Sequence, residues 1–300
     1  MISTLHVDTG RQMRGGQWQA LYLVQGLVAA GHRCTLLARN DGPLLERARA
    51  AGLDARPVGL RELIRLAPSF DLVHAHDARA HSLTAFLARP LVVSRRVAFP
   101  VRDSFASRWK YTRASRLIAV SRYVAGVLAA AGVPEHKIDV VYDGVPVADR
   151  GCTFEDRSKV VAIDSDDPGK GKGLIEQAAR RAGIEVEFSK NLTSDLARAA
   201  LFVYVTESEG LGSAALLAMA AGTPVLASKV GGLVEIVEDG VTGMQLRDNS
   251  SDTIAEAMTC MLHDRVALAR LGRNAYARAQ QFTTDRMVRN TIDVYEKVTG

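Results

Sequence analysis

The stretch Glu207-Ser-Glu-Gly-Leu-Gly-Ser213, continued by the helix-like Ala214–Ala221 and by Gly222-Thr-Pro-Val225, reads as a strand end, a glycine-rich turn, a helix start and a second strand. The first N–H groups of a helix have no internal partner, and the helix dipole favours negative charge there. Gly210, Leu211, Gly212 and Ser213 are therefore candidate phosphate ligands through their amides. Glu209 stands beside them. A carboxylate does not hold phosphate, but it holds hydroxyl groups well. Phosphate amides next to a hydroxyl-reading carboxylate suggest a sugar nucleotide. The duller alternative is a tight βαβ connection whose glycines, Gly231-Gly232 downstream included, serve packing alone.

Outward from this stretch the chain alternates short β-rich runs with amphipathic ones. Ser3–Val7, Cys34–Ala38, Leu72–Ala75, Leu91–Ser94, Leu117–Val120 and Ile138–Tyr142 read as buried strands; Gln17–Ala30, Ala80–Leu87 and Arg122–Ala131 read as helices between them. Val145–Arg157 reads as a linker. The pattern restarts with strands at Lys159–Ile163, Glu185–Phe188, Leu201–Val205 and Val225–Ala227, and helices at Gly173–Arg181, Ser213–Ala221, Asp252–Leu262, Arg265–Gln281 and Thr284–Val298. Alternating β and α segments imply α/β architecture with parallel sheets covered on both faces. The expected organisation is a Rossmann-like domain over 1–147, a second over 158–282, and a terminal helix over 283–300 that can cross back to the first. Ligands of such sheets lie at the carboxyl ends of strands, and two such domains facing each other would leave a ligand cleft.

Of the 300 residues, 47% are hydrophobic, enough for sizeable cores. Cys34, Cys152 and Cys260 lie far apart with no CxxC, which argues against a disulfide or metal framework and fits a reducing compartment. The chain opens directly into the strand Ser3–Val7, with no secretory signal pattern and no run of about 18 apolar residues. A cytoplasmic protein is expected, soluble or peripheral on the inner face of the cytoplasmic membrane. Residues 1–150 hold 21 Lys and Arg against 12 Asp and Glu, whereas 151–300 hold 17 against 21. That asymmetry points the first half toward an anionic partner.

Four further constellations carry chemistry. Gly10-Arg-Gln-Met-Arg-Gly-Gly-Gln17 follows the first strand, and Gly15-Gly16 permits close approach of backbone to a ligand; the spacing is not GxGxxG. In His74-Ala-His76-Asp77-Ala-Arg79-Ala-His81, the first two histidines point the same way along a strand, as a metal would require, but no third ligand is evident; Asp77 and His81 are candidate substrate contacts by strand-end position. Arg95, Arg96, Phe99, Arg102, Phe105, Arg108, Trp109, Lys110, Tyr111, Arg113 and Arg116 interleave cations and aromatics, which suits an anionic membrane or glycolipid, or simply a solvated helix face. Arg95 and Arg96 directly follow a strand. Finally, Asp164-Ser-Asp-Asp-Pro-Gly-Lys170-Gly-Lys172-Gly173 puts lysines on a glycine turn before a helix, where they can neutralise a diphosphate. Asp164-x-Asp166 looks like a metal-binding pair, but the lysines compete with a cation for it.

Together these residues resemble the family 4 glycosyltransferases, retaining enzymes of the two-domain GT-B fold. The resemblance rests on Glu209-Gly-Leu-Gly-Ser-Ala-Ala-Leu-Leu217-Ala-Met-Ala-Ala-Gly-Thr-Pro-Val-Leu-Ala-Ser228, on Gly231-Gly-Leu-Val-Glu235-Ile-Val and on Asp239-Gly-Val-Thr-Gly243. Gly15-Gly16, Ile118-Ala-Val-Ser121, Val141-Tyr-Asp-Gly-Val145, Lys172-Gly173 and the closing Phe282-Thr and Tyr295-Glu296 agree, so it spans nearly the whole chain. It implies that Glu209 holds the donor sugar hydroxyls, and that Lys170 or Lys172, Gly173 and the Gly210–Ser213 amides bind the diphosphate. Gly15, Gly16, Asp77 and Arg96 would close the site from the first domain. No metal or other cofactor is implied beyond the nucleotide-sugar donor, which is a substrate. The departures are Leu217, where the family has a second glutamate that holds the nucleotide ribose; Ser94-Arg95-Arg96 in place of a Thr-x-His; and Ala162-Ile-Asp164 in place of a Gly-Arg. The short stretch between Lys172 and Glu209 implies one strand–helix unit fewer than is common in the family, hence a reduced C-terminal domain.

The expected activity is metal-independent transfer of a sugar from a nucleotide-sugar donor to a glycan or glycolipid acceptor, such as lipopolysaccharide, with retention. The alternatives are a sugar-nucleotide epimerase or hydrolase and a non-catalytic sugar-nucleotide or glycolipid binder. No recognised motif supports nucleic-acid binding.

Overall fold

The computed structural model describes residues 1–102, 104–147, 154 and 157–300. Cys152 and most of the expected linker Val145–Arg157 lie outside the described residues. The chain forms two units, one of Met1–Gly144 with Thr284–Gly300 and one of Val145–Thr283.

In the first unit, β1 (Ser3–Val7), β2 (Arg33–Ala38), β3 (Ala55–Pro57), β4 (Leu72–Ala75), β5 (Leu91–Arg95), β6 (Arg116–Ala119) and β7 (Ile138–Val140) form one parallel sheet in the order β3-β2-β1-β4-β5-β6-β7. Strands covered on both faces must be apolar nearly throughout, and Leu5, Val7, Leu36, Leu37, Leu72 and Val92 are all fully buried. The chain order reverses between β1 and β4. The connections that leave them run to opposite sides of the sheet, the place where such sheets hold ligands.

The helix Thr284–Thr299 belongs to this unit. Met287, Val288, Val294 and Tyr295 recur at helical spacing and pack with Leu23, Val24, Leu27 and Leu72. Each such burial is worth roughly 1.5–3 kcal/mol. The Tyr295 hydroxyl sits 2.6 Å from His74 Nδ1, so the helix is also pinned by a buried polar contact.

In the second unit, β8 (Lys159–Ile163), β9 (Val186–Ser189), β10 (Ala199–Tyr204), β11 (Val225–Ser228) and β12 (Gly243–Leu246) form a parallel sheet in the order β12-β11-β10-β8-β9. Val160, Ala162, Leu201, Val203 and Leu226 pack with Ile254, Met258 and Leu268 from the covering helices. Five strands match the short stretch between Lys172 and Glu209. From β9, an edge strand beside β8, the chain returns through Leu192–Asp195 to the sheet centre at β10. The order reverses between β8 and β10, and the sequence that opened the analysis emerges at that point.

Candidate active site

At the β8–β10 switch point two loops meet. One runs from Asp164 to Lys172, the other from Val205 to Ser213. They are joined by the Glu207 N–H, which donates to the Gly169 carbonyl at 3.0 Å. Gly171 has φ +63°, and a Cβ there would lie 2.6 Å from Val205 Cγ1, so only glycine lets the lysine loop lie this close to β10. The helix Ser213–Ala220 starts after Gly212, and its first-turn N–H groups open at the loop. Leu211 is buried, so it offers this loop its backbone only.

Glu209 is the hub. Its Oε2 accepts from Lys170 Nζ at 2.8 Å and from the Tyr204 hydroxyl, and its Oε1 accepts from the Gly210 N–H at 3.1 Å. Lys170 Nζ also lies 3.1 Å from the Tyr204 hydroxyl. Burial, then the Glu209 charge, pushes the Tyr204 phenol well above its ordinary value, so it remains a donor to Glu209 at neutral pH. Of the two lysines, Lys170 is the one brought to Glu209. Lys172 pairs with Asp164 at 2.5 Å, which raises the lysine and lowers the carboxyl. Lys190 lies 3.6 Å from the other Asp164 oxygen, so the Asp164-x-Asp166 pair has its first carboxylate neutralised by ammonium groups. The Gly173 Cβ position has open space around it.

At the β1–β4 switch point the glycine loop is braced by Asp8. Its carboxylate accepts from the Gly10 N–H at 2.8 Å and from Gln17 Nε2 at 3.1 Å, while Gln17 Oε1 accepts from the Arg14 N–H. Burial raises the Asp8 carboxyl above its ordinary value. Gly15 and Gly16 begin the helix Gly15–Ala29, and the Gly16 Cβ position lies 3.7 Å from Arg96 Cδ. Arg96 Nε donates to Asp143 Oδ1 at 3.0 Å. Arg95 faces other partners, the Tyr111 hydroxyl and the Phe99 carbonyl.

Asp77 requires a correction. Its carboxylate accepts from the N–H and hydroxyl of Thr9 and from the N–H groups of Arg79 and Ala80. It is a helix cap that staples the β1 loop to the β4 loop, and four donors leave it little capacity to bind substrate. His81 is likewise structural. It is buried, with its Nε2 donating to the Lys110 carbonyl and its ring edge-on to Tyr111.

The third histidine that His74 and His76 lacked is His6, opposite His74 in the β1–β4 register. One ring nitrogen from each of the three lies within 4.8 Å of the others. The set does not fit a resident cation. Its ring nitrogens are engaged with Thr4, Tyr295, Ser94, Arg96 and one another, and the Arg96 guanidinium stands beside it with no carboxylate in the set.

Two family models match this chain. One, described as Glycosyltransferase Family 4, covers residues 13–149; the other, Glycosyl transferases group 1, covers residues 159–278. Together they take in the β8–β10 switch point and, from Met13 onward, the glycine loop and β4 of the first unit. The chain belongs to the family 4 glycosyltransferases.

Among curated relatives of this chain, a D-inositol 3-phosphate glycosyltransferase of Kribbella flavida is 35% identical over 150 residues, 47% of this chain and 35% of that protein. An uncharacterized glycosyltransferase of Methanocaldococcus jannaschii is 27% identical over 59% of this chain and 49% of that protein. The chain thus spans a third to a half of the length of these relatives. The structure of Anabaena HepE in complex with UDP and glucose superposes with a TM-score of 0.85 at 18% identity, covering 99% of this chain and 100% of that one. That likeness is one of fold, and it is the GT-B fold. Among the described residues, no helix is long and apolar enough to cross a membrane.

The buried imidazoles make the first unit acid-sensitive. Burial holds His6 down to about 3 and His81 to about 4, with His74 and His76 also well below the ordinary value. In the unfolded chain such groups titrate near about 6.5. Below that value the unfolded chain takes up protons that the folded unit refuses, so stability present at neutral pH is lost as pH falls toward about 4. His81 alone accounts for on the order of 3 kcal/mol over that window. The Tm should fall steadily between about pH 7 and about pH 4.5, and His81→Gln should flatten the slope. A Tm independent of pH over this range would contradict the assignment.

Proposed function

We propose that this protein transfers a sugar from a nucleoside diphosphate sugar to a cell-envelope glycan or glycolipid, with retention at the anomeric carbon and without a metal. The observation that carries the reading is the meeting of Glu209, Lys170 and the Ser213–Ala220 helix start at one switch point. Departure of a nucleoside diphosphate leaves an oxocarbenium-like sugar and puts negative charge on the leaving phosphate. The first-turn amides after Gly212 and the Lys170 ammonium stabilise that charge, being already aimed before reaction. Glu209 takes the sugar hydroxyls; a carboxylate has lone pairs beyond those its present donors use. The UDP and glucose of the Anabaena structure support a uridine nucleotide as donor. Family membership supports retention, through same-face attack that needs no protein nucleophile. Lys172, paired with Asp164, has the secondary part of shaping the diphosphate loop. In the first unit, Gly15-Gly16 and Arg96 form the ligand-facing edge, with Asp77 positioning the loop.

The acceptor is proposed to be anionic, lipopolysaccharide being one example, and the protein to associate peripherally with an anionic membrane surface. The helix Phe105–Arg113 has no buried residue; Phe105 is 86% exposed and Phe86 75%. Arg102, Arg108 and Lys137 line a cavity of about 670 Å³ beside it. Exposed aromatics ringed by cations suit anionic lipid headgroups.

A panel of nucleoside diphosphate sugars tests the donor by thermal shift, since a ligand of the native state alone raises Tm. NMR of the glycosylated product then reads the anomeric configuration. An inverted product removes retention. Free sugar or an epimer formed without acceptor replaces transfer with hydrolase or epimerase activity, and binding without turnover leaves a binder. Co-sedimentation with anionic vesicles should weaken as salt rises.

Leu217 yields a sharper expectation. It lies one turn along from Ser213, half-buried on the same helix face. Leu217→Glu restores the carboxylate that family resemblance assigns to the ribose, and should tighten UDP binding about tenfold, as a charge-assisted hydrogen bond would. Calorimetry showing no gain, or a gain equally large for inorganic pyrophosphate, would refute a ribose contact.

A further inference from the structure

Arg96 stands at the end of a buried chain of hydrogen bonds whose direction is fixed by chemistry. A guanidinium only donates. Arg96 Nη1 lies 3.3 Å from His76 Nδ1, so that nitrogen is the acceptor and the His76 proton sits on Nε2. His76 Nε2 lies 2.9 Å from His6 Nδ1, which forces the same tautomer on His6. His6 Nε2 then donates to Thr4 Oγ1 at 2.9 Å, and the Thr4 hydroxyl donates onward to Cys34 Sγ at 3.2 Å. Every link from Arg96 to Cys34 is satisfied in this one pattern and in no other pattern with neutral rings. All three histidines of the cluster are buried, with His6 fully so, and burial keeps the rings neutral. Protonating His76 would turn its Nδ1 into a donor facing Arg96.

The same guanidinium is held on its Nε edge by Asp143 at 3.0 Å. With Nε and Nη1 engaged, Nη2 is left without a partner among the described residues, and it is not among the buried unsatisfied atoms. The group is therefore anchored at Nε and at Nη1, with Nη2 between the two anchors, and its Cδ lies 3.7 Å from the Gly16 Cβ position.

We propose that His76, backed by His6, is a positioning residue that locks the Arg96 guanidinium so that its Nη2 remains to donate to an anionic group of the ligand. This rests on the reading of Arg96 as a ligand-facing residue given above. Neither histidine touches the ligand. Their contribution is to remove the rotational freedom that a long arginine side chain otherwise loses only on binding.

The test uses the full-length protein and inorganic phosphate as the probe, followed by the Arg96 side-chain 15N resonances near neutral pH. The expected result is that His76 and His6 both show unprotonated Nδ1 and protonated Nε2, and that phosphate shifts the Arg96 signals saturably. His76→Phe should weaken phosphate binding on the order of tenfold, the effect of one lost hydrogen bond to a charged group. His76→Asn, whose carboxamide oxygen replaces the Nδ1 acceptor, should restore most of it. Arg96→Ala should abolish it, and His76→Phe should then add nothing, as coupled sites require. If phosphate does not perturb Arg96 in the unaltered protein, the ligand-facing reading of Arg96 fails and the proposal with it. If phosphate binds through Arg96 but His76→Phe binds as well as the unaltered protein, or Asn restores no more than Phe, the positioning role alone is overturned. A proton on Nδ1 of either histidine overturns the chain directly. Should His76→Phe fail to fold, the tautomers of the unaltered protein and the Asn variant still decide.

Discussion

Glu209→Ala is expected to lower turnover about a thousandfold, in the range seen when a preorganised polar contact to the reacting group is deleted, while UDP binding stays near its starting value. The split follows from what the carboxylate holds. UDP carries the diphosphate proposed to lie on Lys170 and the helix amides, but not the sugar hydroxyls assigned to Glu209. Stability should fall modestly. Removing the carboxylate leaves the buried Tyr204 hydroxyl without its acceptor and Lys170 without its partner, a cost of about 1–3 kcal/mol. Glu209→Gln should recover part of the loss, since an amide still accepts from a hydroxyl but without charge. Steady-state kinetics with each nucleotide sugar, set beside UDP calorimetry, check both halves. A variant that turns over normally would remove the sugar-holding role of Glu209. One that loses UDP binding together with turnover would move Glu209 into the diphosphate site.

Gly232→Ala should act in the opposite manner, through the fold. Its Cβ would stand 2.1 Å from the Gly210 carbonyl oxygen and 2.8 Å from Leu211 Cα, both backbone atoms that cannot swing aside. The neighbouring Gly231, at φ +52°, would meet the Glu209 carbonyl oxygen at 2.0 Å. The two glycines therefore press directly on the loop that holds the carboxylate and the helix amides. Relief requires that loop to move. The expected cost is about 3 kcal/mol or more, which lowers the Tm of the second unit by roughly 10 °C and removes UDP binding with it. Gly173→Ala is the control. Nothing lies within 4 Å of its Cβ position, and alanine in a helix should be neutral or stabilising. Calorimetric melts of both variants decide. If Gly232→Ala melts like the unaltered protein, the loop is not held from this side.

The strands that bracket both candidate sites were legible because a buried parallel strand is an apolar run ended by polar turn residues. β1, β4 and β8 begin and end where the pattern says they do. β3 and β12 gave no such signal. The first has three residues and ends in a proline, the second is the four-residue Gly-Met-Gln-Leu, and both lie at sheet edges. The helix Phe105–Arg113 was readable only as one alternative, a solvated face, because its aromatics face outward and show no core-facing period. In the sites, Glu209 was visible because Tyr204, Gly210 and the helix start after Gly212 are close to it in sequence, although Lys170 is 39 residues away. The division of labour between Lys170 and Lys172 was not, since it depends on how a glycine turn rotates each side chain. His6 carries no local mark at all; its importance comes from a register contact with a strand 68 residues away. Asp77 did carry a readable mark, a polar residue just before the helical run Ala-Arg-Ala-His, as a cap would. Strand-end position had argued for chemistry where capping already accounted for the residue.

The helix Thr284–Thr299 supplies the final turns of the unit that begins at Met1, although 139 residues of the second unit intervene. On the ribosome, where domains otherwise complete themselves in order of synthesis, the nascent first unit must wait with the groove beside Leu23, Leu27 and His74 unfilled until this segment emerges. The half of the protein that is translated first is the half that finishes last.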